Sequence, residues 1–451
     1  MLRESASNPQ FIPPPPPFTP EETTADAAIT LIDPMRQLVT PYMTISREDQ
    51  LPLTALQTED QAILLRFESS LVVSFAGYLK QEAEQIHTQL DNALKPHDRY
   101  VLLRQNVGSI DAPHIIHIIE GRLTQAKPAR IWLNIVLLIL TIMSVFFTGA
   151  QQAVYEMGLL EGVDSLADLI PITLSELWRG YPYALSILAI LIAHEMGHYV
   201  MMRRHGLQGT LPFFIPAPII SPFGTFGATI MLNDVLKNRK ALLDVGAAGP
   251  LAGFIVAVPL VIYGLATSEI VPLDPTGMLE GNSLLYLFAK IVALGQIYPT
   301  VDSDVLLNQV AFAGWTGLFI TALNMIPLGQ LDGGHIMYAL FGDRARWAFV
   351  PVVLALLLIS IFSGQMTWVL FLLILFFIGR FYAVPLDTIT PLDTKRQVIG
   401  IVALVIFVIT FTPLPFYNAS MIVGDSASLG MMIVVGFVMI SQRLRYKFII
   451  G

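Results

Sequence analysis

Long apolar stretches separated by short polar loops dominate the chain beyond residue 130. A membrane-spanning helix needs about 20 mostly apolar residues. Eight stretches approach that length, the last being the shortest: 131–149, 183–202, 245–266, 310–328, 348–362, 368–383, 398–413 and 429–440. The pattern predicts a mainly α-helical membrane protein with about eight transmembrane helices.

Two segments without such stretches precede this part. Residues 1–45 contain a run of five prolines at 13–17 and predict a disordered tail. Residues 50–126 predict a small α+β soluble domain: apolar residues between Leu64 and Leu90 recur at helical spacing, and 100–103 and 114–119 favour short strands. His114 and His117 are three apart on such a strand, so they point to opposite faces and do not form a ligand pair.

The composition agrees with a membrane protein. Hydrophobic residues make up 54% of the chain and charged residues only 13%, against about a quarter charged in soluble proteins. A net charge of −8 without a basic patch gives no case for nucleic acid. The absence of cysteine excludes disulfides and thiolate metal sites. The polar N-terminus resembles neither a secretory signal nor a transit peptide, so a bacterial plasma membrane is the simplest location.

Loop charges predict the orientation, because Lys and Arg collect on the cytoplasmic side. Basic residues flank one set of span ends, at 127–130, 203–204, 237–240, 344–346, 380–396 and 443–447, whereas the loops at 150–180 and 269–304 are mainly acidic. The alternation holds if 281–296 does not cross but lies as an amphipathic element on the outer surface. Both termini are then predicted to be cytoplasmic.

The segment 212–230 returns to the same side without crossing. Four prolines and two glycines between 212 and 227 forbid a regular helix there. Irregular backbone at membrane depth is tolerated only where protein or a water-filled cavity satisfies it. We therefore expect a re-entrant β or loop segment beside a functional site.

The second span contains that candidate site. His194 and His198 are four residues apart and share one helix face, with Glu195 beside them. Such an imidazole pair binds zinc, and the glutamate serves as general base. A third ligand is needed. The candidates are Asp332, which lies between a proline-broken helix and two glycines, and Asp244, which is also placed to cap a helix or to pair with a neighbouring cation. Motif context favours Asp332.

Other polar and small residues near these helices have more than one interpretation. Asn324 is a candidate donor to an oxyanion or to substrate backbone, and also a candidate for hydrogen bonding between helices. His335 is interpreted as a surface group or a group behind the ligands, and His205 as facing lipid headgroups. Gly249 and its small neighbours are expected to let the third span approach the two site-bearing helices closely.

At this point the sequence resembles the site-2 protease family of intramembrane zinc metalloproteases. The motifs at 194–198, 249–253 and 324–334 carry the resemblance, which covers most of a catalytic core at about 180–345 within a membrane domain at 131–451. The segments 213–218, 223–228 and 329–334 are similar to the cyanobacterial and chloroplast branch, and no loop has the length of the PDZ domain that many members insert.

The resemblance implies a function. His194, His198 and Asp332 would bind one Zn²⁺ per chain, Glu195 would be the catalytic base, and the substrates would be transmembrane segments of membrane proteins. Two other classes of membrane protein are alternatives. A protease that trims prenylated tails would need a glutamate ligand on a later helix, and none stands out. A transporter or inactive scaffold would use the same polar residues as an ion path, although internal repeats are not evident.

Overall fold

A computed structural model describes residues 24–52, 67–106, 109–123, 131–159, 165–363, 366–379 and 381–420. The chain divides into two compact units, Met1–Arg122 and Leu123–Gly451. The proline run at 13–17 and the predicted span at 429–440 lie outside the described residues.

The first unit is built on a four-stranded sheet in the order β1-β2-β4-β3. Its elements are α1 (Thr24–Val39), β1 (Met43–Pro52), β2 (Phe67–Leu79), α2 (Ala83–Leu94), β3 (Arg99–Gln105) and β4 (His114–Leu123). The strands predicted at 100–103 and 114–119 are confirmed by β3 and β4. His117 is buried, with its Nδ1 2.7 Å from the Ser74 hydroxyl.

Two predictions for this unit are corrected. The predicted helix from Leu64 to Leu90 is wrong in its first half, where β2 pairs along its length with β1. Valines 72 and 73 suit a pleated sheet, and pairing with a distant strand overrides helical spacing. Part of the predicted tail is also ordered: α1 forms because Met35 and Val39, four residues apart on one helix face, are buried.

The second unit is mainly helical. Its helices are α3 (Ile131–Glu156), α4 (Leu166–Ser175), α5 (Tyr181–Arg204), α6 (Arg239–Ala266), α7 (Leu284–Leu294), α8 (Gln309–Asn324), α9 (Asp332–Phe341), α10 (Phe349–Ser363), α11 (Met366–Ile378) and α12 (Thr394–Thr410). Three two-stranded sheets pair β5 (Phe213–Pro216) with β6 (Thr225–Thr229), β7 (Glu269–Pro272) with β9 (Ser303–Leu306), and β8 (Met278–Glu280) with β10 (Phe416–Asn418).

Four helical segments in the described part of the chain are long and apolar enough to cross a membrane. They are Ile131–Glu156, Leu177–Arg204, Arg239–Ala266 and Asp332–Ile361, the last combining α9, the following 3-10 turn and α10. Helices also occupy the other predicted spans before residue 420, but α8, α11 and α12 have only 13–17 residues each. The protein is therefore a mostly helical membrane protein, with four candidate spans among the residues that the structure describes.

Helix α6 is the centre of this unit, because α5, α8 and α9 all pack against it. Its glycines make the close packing possible. A Cβ at Gly264 would meet the backbone of Ala311 in α8, and a Cβ at Gly246 would lie 2.7 Å from the His335 Cβ in α9. The predicted role of the small residues in the third span is confirmed by these contacts.

The sequence predicts that the segments 212–230 and 281–296 do not cross the membrane as helices, and neither forms a helix long enough to do so. The stretch 212–230 contains the β5–β6 hairpin, in which Phe213 pairs with Thr229 and Phe214 with Ala228. Helix α7 has 11 residues, about 16 Å of helix, and is therefore too short to cross. One face of this helix is buried and includes Tyr286 and Lys290.

Candidate metal centre

Three candidate metal ligands from two helices meet in the second unit. His194 and His198 lie on successive turns of α5, and Asp332 is the first residue of α9. The two Nε2 atoms are 3.2 Å apart, and each lies 3.3 Å from Asp332 Oδ2. Among the described residues this is the group of His, Cys, Asp and Glu side chains arranged to hold a metal ion.

The spacing fits zinc. Zinc binds imidazole nitrogen and carboxylate oxygen at about 2.0–2.2 Å, so neighbouring donors of a tetrahedral site lie roughly 3.3–3.6 Å apart. The three donor distances of 3.2–3.3 Å match that separation. Three protein ligands of the types His, His and Asp leave a fourth position, which is the arrangement of catalytic rather than structural zinc sites.

The orientation of one ligand is set by its second ring nitrogen. His198 Nδ1 lies 2.7 Å from the Val245 carbonyl oxygen in α6. A carbonyl only accepts, so Nδ1 carries the proton and Nε2 keeps its lone pair for a metal. The ring fits because α6 has no side chain at the contact: a Cβ at Gly249 would overlap the imidazole of His198, and one at Gly253 would lie 3.2 Å from His194 Nδ1.

The two glycines after Asp332 allow close packing of the backbone. Gly333 and Gly334 are helical, and an added Cβ would collide with backbone carbonyls of residues 325–329. They therefore let the first turn of α9 pack directly on that loop. The residue with a left-handed conformation is Gly329, at φ 55°. This turn and the close packing place Asp332 at the start of α9 beside α5.

A cavity of about 160 Å³ contains the predicted site residues. His194, His198 and Asp332 line it together with Glu195, which is 4% exposed, and with Asn324 at the C-terminal end of α8. Ala228, Thr229 and Ile230 at the end of the β5–β6 hairpin also line it. The hairpin is thus beside the site.

Sequence reasoning left His335 as either a surface group or a group behind the ligands, and it missed one ion cluster. His335 lines the same cavity one turn after Asp332, a spacing that would have indicated it. Asp244, the rival ligand, instead accepts hydrogen bonds from Arg396 in α12 and lies 2.8 Å from His205 Nε2. Asn238 caps α6 in its place. The long sequence separation of Asp244 and Arg396 left no local signal.

Comparisons with known proteins agree with this geometry. Residues 182–363 match the model of peptidase family M50. The chain is 27% identical to "Probable zinc metalloprotease EGY1, chloroplastic" of Oryza sativa subsp. japonica over 76% of this chain and 62% of that protein. It is 32% identical to "Probable zinc metalloprotease EGY2, chloroplastic" of Arabidopsis thaliana over 54% of this chain and 44% of that protein.

The chain thus spans less than two thirds of the length of these relatives. No solved structure matches. The matched region 182–363 begins within α5 and ends with α10, so it includes both histidines, the glutamate and the aspartate of the cavity. The match to peptidase family M50 therefore includes the whole candidate metal centre.

Proposed function

We propose that this protein is an intramembrane zinc metalloendopeptidase that cleaves transmembrane segments of membrane proteins. The observation that carries the proposal is the cluster of His194, His198 and Asp332, with donor atoms at tetrahedral zinc spacing and Glu195 in the same cavity. The histidine pair belongs to a helix apolar enough to span a bilayer. The names of the similar plant proteins give independent support for zinc and proteolysis.

In this mechanism the two histidines and Asp332 hold the ion. Zinc bound there would supply Lewis acidity for polarising the scissile carbonyl and for lowering the pKa of water. Glu195, buried beside the ligands, takes a proton from the attacking water and delivers it to the leaving amine. The Asn324 amide, on the cavity wall, donates a hydrogen bond to the carbonyl oxygen as negative charge develops there.

The alternatives account less well for the site. An ion path through a transporter does not require three metal-ligand atoms 3.2–3.3 Å apart. It also does not require a histidine whose Nδ1 proton is hydrogen-bonded to a backbone carbonyl. A protease of the prenylated-tail type needs a glutamate as third ligand. Here the position is filled by Asp332, and Glu195 is left for proton transfer.

The test uses a matched pair of variants of the full chain in nanodiscs. Glu195→Gln keeps the size and the ligands, so it is expected to bind one zinc per chain by elemental analysis while losing cleavage of a transmembrane substrate by at least about 100-fold. His198→Ala is expected to lose both zinc and cleavage. Full cleavage by Glu195→Gln would refute the mechanism, and full zinc in His198→Ala would refute the ligand set.

We further propose eight transmembrane helices with both termini cytoplasmic, in a bacterial plasma membrane. The alternation of basic and acidic loops supports this topology. Because the chain contains no cysteine, single-cysteine variants can be labelled in intact cells. Cysteine at residue 161 is expected to react with an impermeant maleimide and cysteine at 204 is not; the reverse result would invert the topology.

The hairpin and the N-terminal unit have proposed roles as well. The 212–230 segment would be re-entrant and would align an unwound substrate by strand addition, which its position at the cavity supports. The first unit, which includes the predicted soluble domain at 50–126, would restrain cleavage by the membrane domain at 131–451. Removing the soluble domain and measuring the cleavage rate of the remaining chain tests this role.

A further inference from the structure

A second cavity lies at the start of α8, the helix whose other end reaches the metal cavity. It has a volume of about 480 Å³ and is lined by the last two turns of α3, the start of α8, and strands β7, β8, β9 and β10. Phe312 of α8 lines this cavity and Asn324 of the same helix lines the metal cavity. Twelve residues of helix separate them, which is about 18 Å.

Two residues that line this cavity each carry a buried side-chain oxygen without a hydrogen-bond partner. Asp304 of β9 is 6% exposed and lines the cavity, and its Oδ1 has no hydrogen-bond partner. Gln152 of α3 lines the same cavity; its Nε2 donates to the Leu307 carbonyl, while its Oε1 is buried without a partner. Unpartnered buried acceptors are costly, so their ligand is a hydrogen-bond donor.

The nearby lysine cannot supply that donor. Lys290 is fully buried, and its ammonium donates to Glu280 Oε1, Asn282 Oδ1 and the Tyr298 carbonyl, which uses all three of its protons. Glu280 and Asp304 both line the cavity, as does the exposed Asp274, so three carboxylates lie around one committed cation. Burial and the neighbouring Glu280 raise the pKa of Asp304 to about 6, which shows how poorly this carboxylate is compensated.

The remaining residues that line the cavity indicate which kind of hydrogen-bond donor fits it. They are mainly apolar, with Thr148, Gln151 and Asp274 as polar exceptions; the apolar residues include Val271, Leu279, Val305 and Phe312. Among the described residues the side chains arranged to hold a metal ion are His194, His198 and Asp332, and none of them lines this cavity. Lysine and arginine side chains combine an aliphatic stem for apolar walls with a charged head for carboxylates.

We propose that this cavity binds a lysine or arginine side chain of the substrate, on the membrane side opposite the metal. The inference rests on the proposed protease function and adds a specificity determinant to it. The β5–β6 hairpin connects the two cavities, since Pro222 in its loop lines the far one and Ala228 to Ile230 line the metal cavity. A substrate lying along the hairpin would place a cationic residue in the far cavity while its peptide bond lies at the metal.

The test measures binding separately from cleavage. The probe is a fluorescent synthetic peptide with a 20-residue apolar core and one lysine at the end opposite the metal, compared with the same peptide carrying glutamine. Both are titrated against the full-length Glu195→Gln protein in nanodiscs. The lysine peptide is expected to bind about 10-fold to 100-fold more tightly, the range of a buried charge-assisted hydrogen bond.

Added variants locate the preference. Asp304→Asn in the Glu195→Gln background is expected to abolish the preference for the lysine peptide. Gln152→Met is expected to reduce this preference and serves as a second variant should Asp304→Asn fold poorly. Asp302→Asn, the same change at an exposed position two residues away and outside the cavity, is expected to keep it. Equal binding of the two peptides, or an unchanged preference in both Asp304→Asn and Gln152→Met, would overturn the proposal.

Cleavage by the wild-type protein distinguishes the two proposals. If wild type cleaves both peptides equally well and binding shows no preference, the cation site is wrong and the protease assignment stands. If the lysine preference depends on Asp304 but no peptide is cleaved, the binding site stands and the protease assignment fails.

Discussion

Replacing Gly249 by alanine is expected to disrupt the metal centre although no metal ligand is replaced. A Cβ at this position would lie 2.5 Å from His198 Cε1 and closer still to two other ring atoms. Non-bonded carbons prefer about 3.5–4.0 Å, so the ring or α6 must move by about 1 Å. Zinc–ligand distances tolerate only about 0.2 Å.

We therefore expect His198 to be lost as a ligand in Gly249→Ala. Zinc affinity should fall by at least about 100-fold, or roughly 2.7 kcal/mol. The assay is competition with a chromophoric chelator, using full-length protein in nanodiscs, with thermal unfolding of the metal-free protein to check the fold.

Gly253→Ala is the matched control. It is one turn further along α6, and its Cβ would meet His194 at 3.2–3.3 Å, a contact that a small ring movement relieves. Both substitutions gain the same helix propensity, so that contribution cancels in the comparison. We expect less than about a 10-fold loss of zinc affinity. Wild-type zinc affinity in Gly249→Ala, or equal losses in both variants, would refute the steric reasoning.

Three further predictions concern charged groups away from the metal. The pKa of Asp304 is about 6 in the folded state, above its ordinary 3.8, so the folded state binds more protons than the unfolded state between these values. The free energy of unfolding should therefore fall as the pH rises from about 4 to about 6. Urea denaturation at several pH values measures this fall, and Asp304→Asn should remove it. Lys290→Met would leave the buried Glu280 carboxylate without its cation, so it should destabilise the fold by about 3–5 kcal/mol in chemical denaturation, and a smaller loss than 1 kcal/mol would contradict the pairing. Arg396→Met would leave the Asp244 carboxylate without its cation at a partly exposed site, so the free energy of unfolding should fall by about 1–2 kcal/mol in chemical denaturation. An unchanged free energy of unfolding would contradict a stabilising ion pair.

The sequence by itself determined the membrane helices and half of the candidate site. Apolar run length and the i, i+4 spacing of His194 and His198 depend only on neighbouring residues, and the structure has helices α5 and α6 where these patterns predict them. Likewise, prolines and glycines alone predicted that 212–230 would not form a helix, and the β5–β6 hairpin lies there.

Tertiary structure decided what depends on distant contacts. The sequence offered Asp332 and Asp244 as third ligands; packing of α9 on α6 brings Asp332 to the histidines, while Arg396 and His205 engage Asp244. Pairing with β1 made β2 a strand despite its helical spacing. In each case the deciding partner is far away along the chain, so local periodicity carries no information about it.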